Sequence, residues 1–232
     1  MNKASASSDL RTQLIETAIR LLAEKGPAAI QARAIAKEVG ASTMAVYSTF
    51  GGMPQYLLAV AEHGFAGLAA AFEKAPKTDD PVTDTFRLAL IYREVARRNP
   101  HLYDLMFGLS TRGAYRAIEF DTAVNPETQS AAYQITYSQL VEAAERLVQS
   151  GRVRKENPAV IAAQLWSFVH GFVSLELAGH FIQFDDCVRE VFVPLGINTA
   201  VGLGDSPERA AESFSQMRFQ MKSATGRATS RR

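Results

Sequence analysis

Residues 35–50, Ile-Ala-Lys-Glu-Val-Gly-Ala-Ser-Thr-Met-Ala-Val-Tyr-Ser-Thr-Phe, leave the backbone few choices. Gly40 can take the left-handed conformation that ends a helix without a Cβ penalty. Ser42 can then cap a second helix. Ala36 is small enough to let that helix cross closely, and Val46 can plug the crossing. Ile35, Val39, Val46 and Phe50 supply the apolar side. The pattern predicts two short helices around a tight turn. That is the layout of a helix-turn-helix, whose second helix enters the major groove of DNA.

The rest of the chain limits how such a unit can work. At 232 residues there is room for a sizeable core, as one large domain or a small one with a larger one. With 47% apolar and 21% charged residues, the composition is that of an ordinary soluble globular protein. Net charge is only +1, so attraction to DNA must come from a local patch. In residues 1–50, Lys3, Arg11, Arg20, Lys25, Arg33 and Lys37 stand against Asp9, Glu16, Glu24 and Glu38, a small positive excess. The lone Cys187 excludes an intramolecular disulfide and fits a reducing cytoplasm. The N-terminus lacks the apolar core of a signal peptide. The most apolar run, Ala159 to Ile182, is long enough to span a bilayer. Gln164, Ser167, His170, Ser174, Glu176 and His180 interrupt it, so we read a buried helix and expect no membrane contact.

Apolar spacing predicts helices throughout, with no strand pattern and no internal repeat. Residues 1–8 are expected to be disordered, with Ser8 or Asp9 capping a first helix that Gly26-Pro27 stops. Further helices are expected over about 32–39, 43–49, 54–74, 82–98 and 101–109; Arg112 to Asn125 is ambiguous, a short helix over 115–120 being one reading. Pro126 to Gln149 reads as a helix, and Asn157-Pro158 starts another that runs to 182. Cys187 to Gly204 is left unassigned because Pro194, Gly196, Gly202 and Gly204 interrupt it. A last helix is expected from Pro207 to about Met221.

The N-terminal pattern resembles the TetR family of bacterial regulators over about residues 9–58. The features are a first helix ending at Gly26, then Ile35-Ala36, Val39-Gly40-Ala41-Ser42, Val46-Tyr47, Phe50 and Tyr56-Leu57. Trp166-Ser-Phe-Val-His170-Gly171 resembles the Trp/His/Gly signature of one subclass of TetR C-terminal domains. The resemblance implies an all-α protein. It implies a DNA-binding domain over 1–52, with three helices and the helix-turn-helix, and a ligand-binding and dimerisation domain over 53–222. A disordered basic tail is expected over 223–232. It also implies a cytoplasmic homodimer, joined through the 158–182 helix and the last helix, on a near-palindromic double-stranded DNA operator. The expected mechanism is repression relieved by a small apolar or aromatic effector that favours a different dimer geometry.

Candidate DNA contacts are Arg33, Lys37, Ser42, Thr43, Met44, Ala45, Tyr47, Ser48 and Thr49. The second helix carries no charge and offers no bidentate arginine–guanine contact, so shape readout should contribute to specificity. Tyr47 is either a phosphate-contacting hydroxyl or a packed aromatic. The family usually has a Lys three residues after the Phe; here that position is Met53. This departure keeps two other readings open: a ligand-binding or protein-interaction module with weak DNA binding, and a transcriptional activator.

Trp166 and His170 are four apart and share a helix face. They can line a pocket, pair in the core, or sit in a dimer seam. The helix is apolar nearly all round, which implies burial on every side. Gly171 and Gly179 would let a partner helix approach closely. Tyr103, Phe107, Tyr133 and Tyr137, with Trp166 and His170, are the candidate ligand residues. No His-Glu-x-x-His, clustered Cys, phosphate loop or Gly-x-Ser-x-Gly occurs, so no catalytic residue, metal ligand or cofactor is expected.

Overall fold

The computed structural model describes the backbone of residues 3–108 and 130–217, and the side chains of that range from Ser8 onward. The 115–120 segment, the end of the last helix and the 223–232 tail lie outside the described residues. Within them every regular element is helical. In order these are α1 (Lys3–Lys25), a 3-10 turn (Pro27–Ala29), α2 (Ala32–Glu38), α3 (Thr43–Phe50), α4 (Met53–Glu73) and α5 (Pro81–Arg98). Then come α6 (Pro100–Phe107), α7 (Ala131–Gln149), α8 (Pro158–Leu177), a π-helical turn (Val188–Phe192), α9 (Val193–Gly202) and α10 (207–217).

Four boundaries differ from expectation, each for a local reason. α1 starts at Lys3, not at a cap on Ser8 or Asp9, because no Gly or Pro interrupts the chain before Gly26. α7 starts at Ala131, not at Pro126; the Ser130 hydroxyl accepts from the Tyr133 amide at 3.1 Å and caps it. α8 stops at Leu177, short of 182. Gly179 sits at φ +79°, and the Gly179 and His180 amides close the end onto the Glu176 and Leu175 carbonyls. Gly179 therefore lies beyond α8 and shares no helix face with Gly171. The unassigned 187–204 segment is helical. Pro194 falls in the first turn of α9, and a Cβ at Gly196 would meet the Phe86 ring, so this glycine serves packing and not a break.

The chain divides into two compact units, Met1–Ala70 with Val95–Thr136 and Ala71–Glu94 with Tyr137–Arg232. The expected boundary after residue 52 falls inside the first unit, which also takes most of α4 and all of α6. Leu14, Ala18, Leu21, Leu22, Ile35, Val46, Tyr56 and Val60 are its buried core. Two buried side chains bind it to carbonyls of α1. Tyr56 Oη donates to Leu14 O at 2.6 Å, and Asn99 Nδ2 donates to Ile19 O at 2.9 Å.

In the second unit Val82, Phe86, Leu147, Ile161, Leu165, Leu203, Phe214 and Met217 pack together. Buried ion pairs frame that core. Arg152 binds Asp205 through two nitrogens, at 3.0 and 2.6 Å, and reaches Asp80 at 2.6 Å. Asp84 accepts from Arg87 and Arg146, each at 2.7 Å. Arg93 grips both oxygens of Glu176.

α8 is long and apolar enough to cross a membrane by length and composition. It does not bury every side, as its pattern implied. Ile161, Ala162, Leu165, Val169, Phe172 and Val173 face the core, whereas Val160, Ala163, Gln164, Ser167, Gly171 and Leu175 are exposed in the single chain.

Candidate nucleic-acid interface and ligand site

The helix-turn-helix forms from the residues that demanded it. Gly40 sits at φ +67° after α2, and the Ser42 hydroxyl accepts from the Ala45 amide at 3.1 Å to cap α3. Val46, like Ile35 and Ala36 on α2, is buried, and Gly51 (φ +83°) ends α3 by donating to Tyr47 O. Phe50 meets Tyr56 edge to face at 4.7 Å between centroids. Burial pushes the Tyr56 phenol far above its ordinary value, so it is a permanent donor to Leu14 O.

This packing decides what α3 presents. Met44 is 73% exposed and Tyr47 42% exposed, so Tyr47 does not close the small core. Ser42, Thr43 and Ser48 are also exposed. The other expected contacts are less available. Ala45 is half-buried, and Thr49, also half-buried, spends its hydroxyl on Ala45 O at 2.6 Å. Ser48 donates to the same carbonyl at 3.2 Å. Arg33 and Lys37 are exposed on α2 and make no ion pair among the described residues. Arg20 and Lys25 are occupied: Glu38 takes both, and Glu24 takes Arg20 as well. An open groove of about 480 Å³ beside these pairs is lined by Gln13, Glu16, Thr17, Arg20, Glu38 and Val39, and by none of the aromatic candidates.

The six candidate ligand residues fall into two groups, one in each unit. In the first unit, Tyr103 is buried and packs on Phe107 at 4.9 Å, while Phe107 and Tyr133 each meet the Phe65 ring edge to face. In the second unit, Tyr137, Trp166 and His170 form a row, with centroids 6.0 and 5.8 Å apart. The row continues to Tyr92 of α5. Its hydroxyl lies 2.7 Å from His170 Nδ1. Burial lowers the His170 pKa, so the ring is held neutral and pairs with Tyr92 as an imidazole. Neither Tyr92 nor Arg11, whose guanidinium lies over the Phe50 ring, was singled out from the sequence. Each depends on a contact across helices that linear spacing does not carry.

Two family models match the chain. Residues 14–60 match the model of bacterial regulatory proteins of the tetR family, and residues 85–195 match a tetracyclin repressor-like C-terminal domain. No curated protein sequence matches significantly. Among solved structures, a protein of unknown function from Rhodococcus sp. RHA1 is 23% identical with a TM-score of 0.68, over 84% of this chain and 96% of that one. RolR without ligand is 17% identical with a TM-score of 0.63, over 88% of this chain and 96% of that one. RolR in complex with resorcinol is 19% identical with a TM-score of 0.61, over 92% and 96%. At these identities the likeness establishes the fold.

Proposed function

The chain belongs to the TetR family of bacterial regulatory proteins and is a DNA-binding transcription regulator, and from that premise we propose that it is a homodimeric, cytoplasmic repressor released from its operator by a small aromatic ligand. One observation carries the DNA side. α3 exposes Thr43, Met44, Tyr47 and Ser48, while Arg33 and Lys37 on the adjoining α2 make no ion pair among the described residues. The arrangement supports short-range contacts from α3 with phosphate charge from α2. Ser42, Ala45 and Thr49 act mainly by shaping α3. Dimerisation is supported by the exposed Val160, Gly171 and Leu175 on α8. Two heads would then meet major grooves about 34–36 Å apart.

The ligand side rests on Tyr137, Trp166 and His170, extended by Tyr92. A row of rings with a neutral imidazole suits a flat aromatic carrying hydroxyl groups, and RolR is a relative of this fold solved with resorcinol. Tyr103, Phe107 and Tyr133 serve core packing. Release from the operator follows if the ligand binds the released dimer geometry more tightly than the operator-competent one.

Selection of bound genomic fragments by the purified protein, then anisotropy titration of the best fragment across salt, tests the DNA reading. A near-palindromic site with steeply salt-dependent affinity is expected. No enriched site, with weak binding only at low salt, would favour a ligand-binding or interaction module; Met53 and the uncharged α3 are the features that support that second reading. Transcription of the target genes rising in a deletion strain is expected for a repressor, falling for an activator. Trp166 is the only tryptophan, so its fluorescence reads the ligand site directly. A saturable change with a phenolic compound, weakened in His170→Gln, is expected.

A further inference from the structure

We propose that Arg11 is a DNA-phosphate contact, held at the C-terminal end of α3. The proposal rests on the DNA-binding reading above. A duplex attracts protein through cations that displace its counterions, yet α3 carries none. In residues 8–50 the cations are Arg11, Arg20, Lys25, Arg33 and Lys37. Glu38 binds Arg20 at 2.7 Å and Lys25 at 3.8 Å, and Glu24 binds Arg20 at 3.1 Å, so those two are neutralised. Arg11, Arg33 and Lys37 remain, all exposed and in no ion pair among the described residues.

Arg11 differs from the other two in being fixed against α3 itself. Its guanidinium carbon lies 4.6 Å from the centroid of Phe50, the last residue of that helix. Phe50 packs edge-on against Tyr56 of α4, and Tyr56 bonds Leu14 O, one turn along α1 from Arg11. The circuit α1–α3–α4–α1 closes on buried groups and sets where the guanidinium stands. A cation–π contact uses its charge and leaves its N–H donors free, and none of them has an acceptor among the described residues. α4 begins at Met53, so the positive end of its dipole lies at the same end of α3. An exposed, unneutralised, pre-positioned arginine beside a helix N-terminus is suited to a phosphate oxygen. The competing role is a staple that only holds α1 to α3.

The test is anisotropy titration of the full-length protein on its selected operator and on a scrambled duplex, across salt, for wild type, Arg11→Gln and Arg11→Lys, with thermal melts of each. Loss of a phosphate contact should weaken both duplexes by the same factor in Arg11→Gln. The slope of log K against log salt should become shallower by about 1 per protomer bound. Arg11→Lys should restore the slope. If Arg11→Gln lowers the melting temperature but leaves the slope unchanged, the residue is a staple and the proposal falls. If wild type itself shows no salt-dependent binding, the DNA reading falls first and Arg11 with it. That outcome is read before any variant is compared.

Discussion

In the first unit the cations of α1 and α2 lie in water. Arg20, Lys25, Glu24 and Glu38 form pairs whose side chains are 36–56% exposed, and Arg11, Arg33 and Lys37 are paired with no carboxylate among the described residues. In the second unit three arginines, Arg87, Arg93 and Arg152, are spent on the fold. Arg152 and Asp205 are 8% and 0% exposed, Arg87 and Asp84 6% and 7%, and Arg93 and Glu176 14% and 12%. The contrast shows what each unit must do. A surface that meets DNA has to keep cations available, so its core is held by apolar packing and by neutral hydrogen bonds to α1 carbonyls. The other unit has no such demand, and it ties its loops with charges whose removal leaves a buried ion.

Breaking the second unit's pairs should produce the largest effect. Asp205→Ala leaves Arg152 with Asp80 and Ser213 as partners in a buried site. It should cost about 3–5 kcal/mol in urea unfolding; a loss under about 1 kcal/mol would show that the pair is replaceable. Tyr56→Phe should be milder, about 1–2 kcal/mol, because it removes one buried donor from a carbonyl that keeps its helical partner. His170 sharpens the comparison through pH. Burial lowers its pKa below the ordinary 6.5, so the unfolded chain takes the proton first. Its stabilising contribution is complete above pH 6.5 and is lost as pH falls below that value. Wild type should therefore lose stability between pH 7.5 and 5.5 more steeply than His170→Gln, as followed by thermal melts; parallel curves would remove His170 from the account. Smallest of all, Arg20→Ala should leave the unfolding midpoint where it is, since its pairs are exposed and screened. A clear shift there would erase the distinction between the units.

Much of the first unit was legible because its rules are local. Gly40 needs φ > 0, Ser42 caps the third residue on, Val46 and Phe50 share one face of α3, and the small Ala36 permits a close crossing, so α2, the turn and α3 follow from spacing alone. The same local logic overreached where a cap competed with continuity. Ser8 and Asp9 were read as a cap, but α1 runs through them, and the glycines of 187–204 were read as breakers although Gly196 accommodates Phe86. α8 shows a limit of another kind. Its composition signalled burial all round, but a single chain covers only one face, and composition does not distinguish a core partner from a second subunit.

The sequence by itself determined the helical class, the helix-turn-helix, the family resemblance and the lack of charge on α3, since each depends on neighbours within a few residues. Tertiary structure decided which cations are free and which are spent, that Tyr92 completes the Trp166–His170 row, and that Arg11 stands over Phe50. The physical reason is the same in each case. Ion pairing, ring contact and burial act across a few ångströms between residues tens of positions apart, and no periodicity along the chain encodes which of those distant groups will meet.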